Sequence, residues 1–163
     1  MNQTIQHDLI GMTEVVAKIP SFISKVPNLL SGLKQAYLRT PNSPAGLGIA
    51  FEKAVKRNPT GYALLFEDQK YTYTELNQWA NQIAHYYLAL GAKKGDVIAV
   101  MVENRSELVA TIVALAKVGV TTALVNTAQI GKVLAHSVTL VNPIALIVGD
   151  DCRQAAYDIR PDL

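Results

Sequence analysis

Three stretches of the chain are apolar without alternation: Val97 to Val102, Thr121 to Val125 and Ile144 to Val148. A strand with one wet face alternates, so unbroken runs bounded by turn residues predict strands buried on both faces, the pattern of a parallel sheet. Between the first two runs the apolar positions take up a helical period. Asn104 stands where an N-cap belongs, Glu107 lies in the first turn where an acid favours the positive helix end, and Gly119 falls where a left-handed C-terminal residue is wanted. These ends bracket about four turns. A helical crossover between two buried strands makes a parallel, right-handed βαβ unit, and sites in such sheets collect at the carboxyl ends of the strands. Those ends carry Glu103, Asn104 and Arg105 after the first strand, and Asn126 and Thr127 after the second.

The same reading extends in both directions. Downstream, Ile130 to Val141 is helical in period, with Val133, Leu134, Ser137, Val138 and Val141 on one side. Pro143 stops that helix before the third strand, and a short helix through Ala155 and Tyr157 follows. Upstream, Leu47, Phe51, Ala54 and Val55 predict a helix over Leu47 to Lys56, ended by Asn58 and Pro59. Tyr62 to Phe66 and Lys70 to Tyr73 then flank the polar turn Glu67, Asp68 and Gln69 as a hairpin. Thr72 and Glu75 have the spacing of a capping box, with Tyr71 and Leu76 placed for a hydrophobic staple. The helix that starts there is expected to bury Leu76, Trp79, Ala80, Ile83, Tyr87 and Leu90, and to end at Gly91. The fold class predicted is α/β: a partial doubly wound parallel sheet of three βα units, preceded by a β-hairpin and an N-terminal amphipathic helical arm.

That arm is residues 1–40, and residues 41–163 form the second domain. Apolar residues recur in steps of three and four from Ile5 through Leu9, Met12, Val16 and onward to Tyr37, interrupted by Pro20 and Pro27, which predicts short helices rather than one rod. Lys18, Lys25, Lys34 and Arg39 surround the stripe. A basic amphipathic face of this kind, spanning residues 5–38, suits an anionic membrane surface, self-association, or packing on the protein's own domain.

Charge and cysteine content narrow the classes. The formal net charge of +2 over 163 residues lacks the clustered Lys and Arg that a nucleic-acid partner requires. The single cysteine, Cys152, has no internal disulfide partner, which fits a reducing compartment and a small buried thiol. No apolar run approaches the roughly 18 residues that span a bilayer, and the N-terminus lacks a signal-peptide pattern. The expected location is cytoplasmic, either free or peripheral on the inner face of a membrane.

Chemistry-bearing motifs are sparse. Neither a G-x-G-x-x-G nor a Walker sequence is present. His7, His85 and His136 have no ligands at metal spacing, and His136 and Ser137 point about 100° apart on one helix, wrong for a nucleophile and its base. Asp150 and Asp151 after the third strand suit either magnesium or, with more weight, the N-cap of the last helix. No catalytic residue and no metal ligand is assigned. Glu103, Asn104, Arg105, Asn126 and Thr127 are the candidate crevice residues by position, although, with more weight, capping accounts for Asn104 and a solvated loop for Glu103 and Arg105.

Four segments in order carry a resemblance: YTYTELNQWAN (Tyr71 to Asn81), GDVIAVMV (Gly95 to Val102), ENRSELVATIVALAKVG (Glu103 to Gly119) and ALVNT (Ala123 to Thr127). Together they resemble the N-terminal part of the adenylate-forming acyl-CoA synthetases, nearest to the very-long-chain acyl-CoA synthetase or fatty acid transport protein branch. Where that family usually continues Asn-Leu-Arg, this chain has Ala128, Gln129 and Ile130. The resemblance implies ATP, Mg2+ and CoA as cofactors and co-substrates, and a fatty acid activated as acyl-adenylate and then captured by CoA. It also implies a phosphate loop, an adenine motif, a ribose-binding aspartate and a catalytic lysine downstream of Leu163. The expectation is therefore an N-terminal fragment of a long- or very-long-chain fatty acid–CoA ligase, inactive by itself. The alternative is a free-standing flavodoxin-like binding or dimerisation module without catalysis.

Overall fold

The computed structural model describes residues 46–162, together with Val26, Pro27, Leu30 and Gly32, which are helical. The chain divides into two compact units, Met1–Ser43 and Pro44–Leu163. The amphipathic stripe and its proline interruptions otherwise lie outside the described residues.

The second unit begins with α1 (Leu47–Arg57), the hairpin strands β1 (Tyr62–Phe66) and β2 (Gln69–Thr72), and α2 (Tyr73–Ala89). The hairpin turn is one residue tighter than expected, because Gln69 pairs with Phe66 and leaves Glu67, at φ 50°, and Asp68 to reverse the chain. Thr72 then caps α2 as a full box. The Glu75 amide donates to the Thr72 hydroxyl at 3.2 Å, while the Thr72 amide and hydroxyl both donate to the Glu75 carboxylate at 2.8 Å. Tyr71 rests on Trp79, ring centroids 5.5 Å apart. The inner face of α2 is Leu76, Ala80 and Ala84; Leu90 lies past the helix end and is 65% exposed, contrary to expectation, since the chain turns at Gly91 before Leu90 reaches the core.

Three parallel strands form the sheet, in the order β4-β3-β5: β3 (Val97–Met101), β4 (Thr121–Leu124) and β5 (Ala145–Val148). Ile98, Ala99, Val100 and Met101 are essentially sealed from solvent, which explains the unbroken apolar run: the pleat sends alternate side chains into two different cores. Ile98 and Val100 pack with Leu115 and Val120 under α3 (Ser106–Val118). Met101 packs with Leu134, Val138, Cys152 and Ile159 under α4 (Gly131–Leu140) and α5 (Arg153–Asp158). Full burial of Ile98 or Val100 stabilises the fold by about 2 kcal/mol each. Helices therefore cover both faces, as a doubly wound sheet requires. In α4 the inner residues are Leu134, Ala135 and Val138, and Val133 is 62% exposed, because the helix rolls its Ala135 side rather than its Val133 side onto the sheet.

Two helix starts differ from expectation. The N-cap of α3 is Arg105, not Asn104, and no side chain caps it; the chain stays extended one residue longer, so Asn104 falls outside the cap position. Asp150 and Asp151 do not cap the last helix directly, because a 3-10 turn, Asp150–Cys152, intervenes before α5. The C-terminal expectation at Gly119 holds, with φ 76°.

The box around Thr72 sets a pH dependence. Hydrogen bonds from the Thr72 amide and then its hydroxyl hold the Glu75 carboxyl below its ordinary value of 4.5. A lowered folded-state value means the unfolded chain binds more protons, so the stabilisation is complete above 4.5 and is lost as pH falls through the lowered value. Thr72→Ala should cost about 1 kcal/mol in urea unfolding at neutral pH. Glu75→Gln should flatten the acid limb of the stability curve, and an unchanged acid slope would contradict the assignment.

Candidate functional site

The order β4-β3-β5 means the chain leaves the central strand to one side and returns to the other. Beyond β3 it passes to α3 on one face, and beyond β5 it passes to α5 on the opposite face. The two loops diverge at their carboxyl ends, so the β3/β5 boundary is the topological switch point, the place where open sheets of this kind put a ligand crevice. The amide of Gly149 donates to the Met101 carbonyl at 2.8 Å and closes the floor of that crevice.

Glu103 and Asn104 are exposed at its rim, and Arg105 is half-buried. The Arg105 guanidinium donates from Nε to Glu107 Oε2 at 2.9 Å and reaches across to Asp151 Oδ2 at 3.7 Å, tying the loop after β3 to the loop after β5. Both pairs are well exposed, so each contributes a few tenths of a kcal/mol and orients more than it stabilises. Cys152 lies beneath, 4% exposed. Burial first, then the charges of Glu103 and Asp151, push its thiol above the ordinary value, which keeps it protonated and a poor nucleophile. Asp151 belongs to the crevice although periodicity alone made it a capping residue. Its bond to Arg105 joins loops that only the sheet brings together.

Asn126 and Thr127 follow β4, on the other side of β3 from the switch point. The Asn126 Oδ1 accepts the Ala128 amide at 2.9 Å and its carbonyl accepts the Gln129 amide at 3.1 Å, so Asn126 builds the turn into α4. Among the described residues, Ser106 Oγ at the start of α3 and Gln129 Oε1 before α4 are buried without a partner. Neither carried a signal in the residue pattern, because each depends on what surrounds it. Among the described residues no group of three His, Cys, Asp or Glu is placed to hold a metal ion. A groove of about 450 Å3 runs instead along β5, lined by Leu146, Val148, Arg153, Ala156, Tyr157 and Arg160.

An open parallel sheet wound on both faces, entered from a capped hairpin–helix unit and with a polar crevice at its switch point, defines an α/β ligand-binding subdomain. The family model for AMP-binding enzymes matches residues 51–162, and the chain belongs to that family. It is 31% identical over 152 residues to the medium/long-chain-fatty-acid–CoA ligase FadD6 of Mycobacterium tuberculosis, covering 93% of this chain and 26% of that protein. It is 31% identical over 114 residues to the human long-chain fatty acid transport protein 6, covering 69% of this chain and 18% of that protein. The Klebsiella oxytoca NpsA N-terminal subdomain in complex with anthranilyl-AMSN superposes with a TM-score of 0.62 at 27% identity, over 64% of this chain and 27% of that one. The inhibitor-bound N-terminal domain of FACL13 from M. tuberculosis gives a TM-score of 0.67 at 24% identity, over 71% and 29% respectively, a likeness of fold. The chain thus spans about a quarter or less of the length of the curated relatives named above.

Among the described residues the Gln129 side-chain oxygen is buried without a partner. An unpaired buried acceptor costs about 1–3 kcal/mol, so Gln129→Leu should raise stability in urea unfolding. A loss of similar size would show that the amide has a partner in solution.

Proposed function

We propose that residues 46–162 are the N-terminal portion of a fatty acid–CoA ligase and that their own role is structural. They form one wall of the crevice in which the acid and nucleotide meet. The observation that supports this most is the similarity to a fatty-acid–CoA ligase along 93% of the chain, which spans 26% of that protein. In such an enzyme ATP would activate the fatty acid as an acyl-adenylate and CoA would take up the acyl group. Mg2+ and the triphosphate require clustered carboxylates or a glycine-rich backbone cradle. Glu107 and Asp151 meet Arg105 instead, and the described residues do not fit either group, so no chemical step is assigned to them. A second reading, amino-acid adenylation, draws on 41% identity over 69 residues to bacitracin synthase 1 of Bacillus licheniformis, which covers 42% of the chain. Its shorter reach makes it the lesser one.

Two experiments address this reading. The 163-residue polypeptide alone should release no pyrophosphate from ATP with fatty acids, aryl acids or amino acids. The longest reading frame that contains it should do so with medium- to long-chain fatty acids, and turnover by the short polypeptide, or amino-acid dependence of the long one, would overturn the proposal. Residues 1–40 are assigned to an anionic membrane surface from their basic amphipathic pattern; among the described residues no helix is long and apolar enough to cross a membrane. Flotation with phosphatidylserine-containing liposomes should be lost when residues 1–40 are deleted. Dimerisation without flotation would favour self-association through that segment.

A further inference from the structure

Helix α1 is fastened in a way that its apolar face does not explain. Its one fully buried residue is Gly48, and Leu47 and Ile49 remain 53% and 39% exposed. Gly48 lets α1 approach α3 closely, since a Cβ there would lie 2.7 Å from the Ala116 carbonyl oxygen. Phe51 adds a partly buried ring against Ala80, Ala84, Val113 and Ala114, a seat of small residues between α2 and α3. Apolar burial on this scale leaves a helix at the low-stability end of a domain. Phe51 also meets the Tyr73 ring at the start of α2, centroids 5.9 Å apart, and the polar hold is Lys117 of α3, whose side chain is 11% exposed. Its ammonium donates to Asn77 Oδ1 at 2.6 Å and to Asn81 Oδ1 on α2, and meets Glu52 Oε1 of α1 at 2.5 Å. An ammonium has three hydrogens and accepts nothing, so oxygens from two helices use it completely.

We propose that α1 is a latch over the α2–α3 seat, opening as a unit of its own and held shut by the Lys117 ammonium. The pivot is at Asn58. Beyond it the Pro59 carbonyl accepts both the amide and the hydroxyl of Thr74, at 3.0 and 2.9 Å, which pins the next residue to the start of α2. Loss of the positive charge leaves the Glu52 carboxylate and both asparagine oxygens without their donor in a partly dry site, where an unmade bond costs more than at an open surface. The sheet shares none of these contacts and keeps its own cores.

Hydrogen exchange resolved along the chain tests this. In the unaltered polypeptide the amides of α1 should exchange faster than those of β3. Lys117→Met should accelerate α1 exchange by about tenfold or more while β3 and β5 are unchanged. Glu52→Gln, which leaves the bonds between α2 and α3 in place, should give a smaller acceleration confined to α1 and serves if Lys117→Met fails to fold. Equal protection of α1 and β3 in the unaltered chain, equal acceleration of both in a variant, or no response of α1 to either substitution would overturn the latch.

Discussion

The structure depends on the burial of β3 from both sides. Ile98 and Val100 point into one core, Met101 into the other, and all three are sealed. A strand in that position satisfies its backbone only by pairing along both edges, which β4 and β5 do, and it satisfies its side chains only with helices on both faces. Helices on both faces meet the second requirement, and the order β4-β3-β5 gives the central strand a partner on each edge. The switch point at the β3/β5 boundary follows from that order, since the chain leaves β3 towards β4 on one side and finds β5 on the other.

What lines that crevice separates position from chemistry. Arg105 and Asp151 bridge its two walls, and the thiol of Cys152 beneath them is held protonated by burial. The side chains fasten loops to each other. Asn126 turns the chain, Arg105 links β3 to β5, and Lys117 joins three helices on the far side of α3.

Much of the fold was legible because its signals are local or periodic. The continuous runs marked the strands to within a residue, the Thr72–Glu75 box marked the start of α2, and Gly119 marked the end of α3. Errors arose where a local preference competed with the path of the chain. Asn104 is a better cap than Arg105, yet the loop from β3 stays extended past it. Leu90 and Val133 have core-like character, yet the turn at Gly91 and the roll of α4 leave them in solvent. That Glu103, Asn104 and Arg105 follow one strand and Asn126 and Thr127 another was legible because strand ends are readable; that Arg105 reaches Asp151 and Asn126 builds a turn was not.

The residue pattern by itself determined the element types, their alternation, the two-sided burial of the central strand and the family resemblance, since each rests on neighbours in the chain. Only the tertiary structure decided that β5 lies beside β3 rather than beyond β4, and therefore which loops face each other. It alone paired Arg105 with Asp151, gathered Glu52, Asn77 and Asn81 around Lys117, and buried the Gln129 oxygen without a donor. Those contacts join residues far apart in the chain, and their energies depend on burial and distance, which no periodicity encodes.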